Sequence, residues 1–183
     1  MKKFLVAIDQ GTTSTRAILF DTKGNKKFIS QFEFKQYFPK NGWVEHNPNE
    51  IWKTTVKSLK KVIQKTKQLK GKILSIGITN QRETTILWNK KNGKPVYNAI
   101  VWQDRRTQQY CQNLKKNNYE NILRKKTGLF IDPYFSATKI RWILDNVKNS
   151  KKLLKSNNLL FGTVDTFLIW KLTKGKQHLT EAT

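Results

Sequence analysis

The sequence predicts an α/β fold with a mixed sheet, and three observations lead there. The first third holds apolar or alternating runs separated by tight-turn residues, which reads as a strand meander. From residue 47 onward, stretches with helical periodicity alternate with short apolar runs. Hydrophobic residues make up 37% of the 183 and aromatics 11%, with six Trp, enough for one domain with a real core. A single domain over 1–183 is therefore expected.

The elements follow in order. Residues 4–8 are an apolar run that meets Asp9, and 14–20 contain Ala17-Ile18-Leu19-Phe20. Asp21-Thr22-Lys23-Gly24-Asn25 is a hairpin-type turn, and 28–34 alternate as a half-buried strand should. Asn47 is an N-cap candidate with Pro48 at the first helical position, and the helix runs to about Lys67. Its expected inner stripe is Ile51, Trp52, Val56, Leu59 and Ile63. Strands over 72–79 and 84–88 flank the turn Asn80-Gln81-Arg82-Glu83, and 98–102 form a further strand end. Helices are expected over 105–116, 119–127 and 136–147, the last with Ile140, Ile143 and Leu144 facing inward. A short strand at 159–161 and a helix at 163–172 follow, with Asp165 in the first turn where the helix dipole favours an acid. Residues 177–179 are read as the start of a last strand. Lys60-Lys61 and Lys151-Lys152 are read as exposed helix faces.

The net charge of +24, from 36 basic and 12 acidic residues, raises nucleic acid or an anionic membrane as a partner. Its make-up argues otherwise. Thirty of the basic residues are Lys and six are Arg, whereas phosphate-clamping and base-reading surfaces use the bidentate Arg fork. Sixteen Asn and fifteen Ile accompany the lysines, and all three have A- or T-rich codons. Much of the charge thus reads as compositional bias on a solvated surface. No apolar run approaches the ~20 residues of a membrane span. The run behind Lys2-Lys3 is too short for a signal-peptide core. The lone Cys111 gives no disulfide framework and no cysteine metal cluster, so a cytoplasmic location is expected.

The first chemical motif is Asp9-Gln10-Gly11-Thr12-Thr13-Ser14-Thr15-Arg16, joining the first two strands. Glycine lets the backbone turn and approach a ligand. Four consecutive hydroxyls and the turn N–H groups can converge on phosphate oxygens, and Arg16 adds fixed positive charge. Asp9 supplies a carboxylate near which Mg²⁺ could sit through water, since the ion keeps part of its hydration shell. There is no G-x-x-x-x-G-K-[ST] loop and no Rossmann fingerprint. An ordinary hydrophilic hairpin remains the alternative.

Three further motifs suit a polyol. Arg82 donates and Glu83 accepts, a combination that matches a vicinal diol through charge-assisted bonds, although a neighbour salt bridge would look the same. Trp102, where a strand gives way to a helix, could wall a carbon chain or simply fill the core. Tyr134, behind the stiffening Pro133, offers a phenol hydroxyl or is a plain loop tyrosine.

The hairpin pattern D-x-G-T-T-S-x-R after an N-terminal strand resembles the phosphate loop of the FGGY carbohydrate kinases, of the actin-like (ribonuclease H-like) ATPase superfamily. The blocks G-W-V-E-H-N-P, G-I-T-N-Q-R-E-T-T, N-A-I-V-W-Q-D-R-R-T, G-L-F-I-D-P-Y-F-S-A-T-K and F-G-T-V-D-T-F-L-I-W-K-L-T are similar to those of its glycerol kinases. The resemblance implies an actin-like N-terminal domain that transfers the ATP γ-phosphoryl group to a terminal glycerol hydroxyl, giving sn-glycerol 3-phosphate. It implies that Arg82, Glu83 and Tyr134 bind glycerol hydroxyls and that Trp102 walls the pocket. It also implies that Thr12, Thr13, Ser14 and Arg16 contact nucleotide phosphate, that Thr12 faces the product phosphate, and that Asp9 lies near Mg²⁺. ATP and Mg²⁺ are the implied substrate and ion, with no nucleic acid or membrane insertion, and with a homo-oligomer or a complementing C-terminal chain left open.

Family members are longer, with two actin-like domains around a cleft, and their general-base Asp lies in an Asp-Gln segment downstream of the matched region. The only Asp-Gln here is Asp9-Gln10. The first domain reads as incomplete at Thr183, so no catalytic base is assigned and the 183 residues alone are expected to be inactive. The alternatives are a non-enzymatic remnant of a decayed kinase and a basic nucleic-acid-binding module.

Overall fold

The computed structural model describes residues 1–181. In chain order the elements are β1 (Lys2–Gln10), β2 (Ser14–Asp21), β3 (Lys26–Glu33), β4 (Gln36–Tyr37), β5 (Glu45–His46), α1 (Pro48–Gln68), β6 (Gly71–Thr79), β7 (Ile86–Asn89), β8 (Ala99–Ile100), α2 (Gln108–Lys116), α3 (Tyr119–Thr127), α4 (Ser136–Asn146), α5 (Ser150–Lys155), β9 (Leu159–Gly162) and α6 (Val164–Leu172). The contacts fall into two compact units. The first holds Met1–Gln36, Asn47–Gln81 and the described residues from Val164 on; the second holds Tyr37–His46 and Arg82–Thr163.

The first unit is built on a four-stranded sheet of order β3-β2-β1-β6, antiparallel across β1–β2 and β2–β3 and parallel across β1–β6. Phe4, Val6 and Ile8 are buried and pair with Asp21, Leu19 and Ala17, so alternate residues of both strands share one inner face. α1 covers the sheet from β2 and β3 to β6. The helix starts as expected: the Asn47 side chain accepts the Asn49 N–H at 2.9 Å, and Pro48 occupies the first position.

The buried stripe of α1 differs from the expected one. Ile51, Thr55, Ser58, Leu59, Val62 and Thr66 point inward, whereas Ile63 is 43% exposed and Trp52 and Val56 are half-buried. Hydrophobicity misled at three small polar positions. Thr55 and Thr66 turn their hydroxyls back onto the Ile51 and Val62 carbonyls at 2.8 and 2.9 Å, so they bury without an unsatisfied donor. The sheet's other face is less covered, with Leu5 40% and Ile29 42% exposed; Leu74 and Ile76 of the edge strand β6 are exposed too, Ile76 in register with Val6 of the inner face.

In the second unit, β7 and β9 pair antiparallel from Ile86↔Gly162 to Asn89↔Leu159. Leu87, Ile100 and Ile143 form its apolar core, with Tyr97, Ile140, Trp142 and Leu159 packed against them. β5 pairs antiparallel with β8. Beside that ladder lies a charged centre. The Arg106 guanidinium, fully buried, reaches Glu45 at 2.7 Å and Asp104 at 2.9 Å. Trp43 and Trp142 lie 3.9 and 4.5 Å from its carbon. Tyr97 and Asn98 donate to the two oxygens of Glu45, and the Val44 and Arg106 N–H groups donate to Asp104. Every carboxylate oxygen is thus occupied, which a buried ionic cluster requires.

The strand expected at 84–88 begins later, at Ile86, while Thr85 makes a single bridge to Ile100. The helix expected from residue 105 begins at Gln108, because 101–107 are taken up by turns around Asp104. β4 and β5 were not foreseen, being two-residue strands with no period to read, whereas α5 carries the exposed Lys151-Lys152 face expected there. Residues 177–179 form no strand: they follow a turn in which the Gly175 N–H bonds the Trp170 carbonyl at 2.8 Å, and they lie exposed. Among the described residues no helix is long and apolar enough to cross a membrane.

Candidate functional site

In the first unit the turn between β1 and β2 is held mainly through the backbone of Gly11. Its N–H donates to the Ser14 carbonyl at 3.0 Å. Its carbonyl accepts from the side-chain amides of Gln10 at 3.1 Å and Gln81 at 2.8 Å. A Cβ at residue 11 would lie 3.2 Å from the Ser14 carbonyl oxygen, so the turn is tight there. The Phe34 N–H bonds the Thr13 carbonyl at 3.2 Å, tying the turn to the end of β3. Thr13 is exposed and Thr12 half-buried, whereas Ser14 is buried and accepts from Gln31 at 2.9 Å. Thr15, fully buried, donates to Gln10 at 2.8 Å. Arg16 reaches Asp9 across the ladder at 2.6 Å, and Thr79 donates to the same carboxylate at 3.2 Å.

The structure thus brings Asp9, Thr12, Thr13, Ser14 and Arg16 onto one hairpin. Gln10 and Gln81, which the sequence reading passed over, hold its shape. A glutamine immediately before the Arg82-Glu83 pair was the available signal for the second. Among the described residues no three His, Cys, Asp or Glu side chains gather as a metal cage. One carboxylate among hydroxyls is still a hard-oxygen set that suits a hydrated Mg²⁺. The Asp9–Arg16 ion pair favours an arrangement through water over direct coordination.

In the second unit the turn at Arg82-Glu83, the segment at Trp102 and the turn at Tyr134 meet. The Trp102 N–H donates to the Thr84 hydroxyl at 3.3 Å, and the Thr85 and Ile100 backbones exchange bonds of 2.9 and 3.0 Å. The Trp102 and Tyr134 rings meet edge-on at 6.1 Å. Arg82 is exposed and Tyr134 36% exposed.

Glu83 has φ +61°, a left-handed conformation that costs a side-chain-bearing residue about 1–2 kcal/mol. Its Oε2 accepts from the Ser136 N–H at 2.9 Å and hydroxyl at 2.8 Å. α4 has no cap from its own N-cap residue, Phe135, so Glu83 caps it from a distant turn. Lys139, fully buried in the first turns of α4, donates to the carbonyls of Glu83 and Tyr134. Burial pulls its ammonium pKa down to about 8, although Glu83, Asp104 and Asp132 pull the other way. Ser136 and Lys139 escaped the sequence reading. The signal was a lysine four residues before the buried Ile143, on the inward face of a helix.

The sequence matches the FGGY family of carbohydrate kinases, N-terminal domain, over residues 4–183. It is 58% identical to a glycerol kinase of Marinomonas sp. (strain MWYL1), covering 100% of this chain and 37% of that protein. It is 56% identical to a glycerol kinase of Escherichia coli O8 (strain IAI1), over 100% of this chain and 36% of the relative. A crystal structure of Plasmodium falciparum glycerol kinase with ADP superposes with a TM-score of 0.88 at 37% identity, covering 95% of this chain and 35% of that one. The chain therefore spans a little over a third of the length of these relatives.

Proposed function

This chain belongs to the FGGY family of carbohydrate kinases, and on that footing we propose that it serves ATP-dependent phosphorylation of glycerol to sn-glycerol 3-phosphate. The observation that carries the reading is the Glu83 carboxylate. It is pinned through Oε2 on Ser136 in a strained turn next to an exposed arginine, with Tyr134 tied to the same helix. A donor and an acceptor side by side suit a diol, and a ligand lacking a hydroxyl leaves them unmatched. Trp102 supplies an apolar wall beside Tyr134.

Phosphoryl transfer depends on positioning and on neutralising charge on the phosphoryl oxygens. Thr12, Thr13 and Ser14, with the turn amides, would bind nucleotide phosphate, Thr12 also meeting the product phosphate, and Arg16 would add charge. Asp9 would hold Mg²⁺ through its water, and the ion would supply part of the neutralisation. Arg82, Glu83 and Tyr134 would orient the acceptor hydroxyl. We assign no general base within residues 1–183, and we place the chain as an N-terminal kinase domain acting in the cytoplasm.

The test is a chimera that joins residues 1–183 to the remaining length of the Marinomonas relative, assayed for ADP release with Mg²⁺-ATP. Glycerol should stimulate release, and Arg82→Ala should lower kcat/KM for glycerol at least about a hundred-fold. A folded chimera that releases ADP with another polyol or sugar, and not with glycerol, would overturn the reading.

A further inference from the structure

We infer that Lys139 is a positioning residue of the polyol site, holding Glu83 and Tyr134 at a fixed spacing through their backbone carbonyls. The inference rests on the polyol reading of those two residues. Lysine is almost never fully buried unless paired, because taking an ammonium out of water is costly. Lys139 is 0% exposed, yet none of its hydrogen bonds goes to a carboxylate. They go to the Glu83 carbonyl at 2.9 Å and the Tyr134 carbonyl at 2.5 Å. These two acceptors lie on turns some fifty residues apart in sequence, and each turn carries a candidate ligand group.

The rest of α4's first turn completes the grip. Ser136, three residues before Lys139, holds the Glu83 carboxylate while Lys139 holds the same residue's carbonyl. Glu83 is therefore gripped at both ends by one helix turn, in a left-handed conformation that its own side chain disfavours. A buried Ile at 139 would pack beside Ile143 at less cost, but it would leave two carbonyls unpaired and Glu83 without its backbone anchor. The charged groups that face the ammonium are Glu83 on its turn, Asp104 and Arg106 on the segment before α2, and Asp132 on the turn before α4; the Tyr134 ring lies 6.0 Å away.

Two measurements on the 183-residue chain test this. The first compares wild type with Lys139→Met by amide hydrogen exchange and by glycerol titration of the Trp102 and Tyr134 side-chain signals. Exchange at Ser136, whose N–H reports the Glu83 carboxylate, should speed up about ten-fold or more, while β7 amides stay protected. Glycerol affinity should fall about ten-fold or more. Unchanged Ser136 exchange, or equal glycerol affinity in a folded variant, would overturn the inference. The second needs no variant. The Glu83 and Tyr134 carbonyl carbons of wild type should titrate together with the Lys139 ammonium, and carbonyls that stay flat while the Lys139 side-chain signal titrates would overturn it. A wild-type chain that ignores glycerol would sink the polyol reading, while Ser136 exchange and the carbonyl titration would still decide the role of Lys139.

Discussion

The hairpin of the first unit and the Arg82-Glu83 turn of the second solve the same problem by opposite means. The hairpin is shaped largely by backbone, with Gly11 bonded to Ser14 three residues on, Thr13 bonded to Phe34, and the amide side chains of Gln10 and Gln81 bracing it. The Arg82-Glu83 turn is shaped by ions. Glu83 sits on a helix terminus, Lys139 is buried against two carbonyls, and the neighbouring Arg106 centre fixes the segment that carries Trp102. The difference teaches where each site is fragile. A backbone turn tolerates the loss of one hydroxyl, whereas a buried ionic framework fails when one partner is removed.

Arg106→Leu should show this most strongly. It strands Glu45 and Asp104 in the interior and should destabilise the second unit by about 3–5 kcal/mol, read as faster hydrogen exchange in β7 and β9. Exchange across β1 and β2 should change far less; equal loss in both units would break the comparison.

Acid should act in the same direction. Burial alone would raise the Glu45 carboxyl, but hydrogen bonds from Tyr97, Asn98 and Arg106 outweigh it and leave the pKa below its ordinary 4.5. A depressed carboxylate binds fewer protons folded than unfolded. Its stabilisation is complete above the ordinary value and drains away as pH falls through the lower, folded one. Exchange followed from pH 6 downward should therefore show the Glu45 ladder with β8 loosening before the β1–β2 ladder (about two pH steps suffice to see the order).

Smaller effects belong to the first unit. Asn47→Ala removes the cap of α1 and should cost about 1 kcal/mol, seen as a lower unfolding midpoint. Gln81→Ala removes one brace from the Gly11 carbonyl and should cost about 0.5–1.5 kcal/mol, with faster exchange at Gly11 itself. Thr13→Ala should leave that exchange unchanged, since the turn uses the Thr13 carbonyl and not its hydroxyl.

The same contrast governs what the sequence disclosed. The meander, the cap of α1 and the hydroxyl-rich turn were readable because they depend on neighbours in the chain. Strand alternation at Phe4, Val6 and Ile8 and the Asn47-Pro48 pair are local statements. Arg82, Glu83, Trp102 and Tyr134 stood out by residue type and resemblance, but the residues that hold them did not. Lys139 reads as one more surface lysine among thirty until the fold turns it inward. Thr55, Ser58 and Thr66 were missed for a related reason: burial of a small hydroxyl is decided by the carbonyl four residues behind it or a strand beneath it. The strand expected at 177–179 failed because, among the described residues, no strand pairs with it.

The partly open sheet of the first unit has a consequence for handling the protein. Leu5, Ile29, Leu74 and Ile76 present apolar surface, while the chain as a whole carries +24 charges. In dilute buffer like charges hold copies apart over about 30 Å; at 1 M salt that reach shrinks to about 3 Å. Ionic strength is thus a colloidal dial: the same salt that quiets nonspecific anion binding lets the bare strands of neighbouring molecules meet.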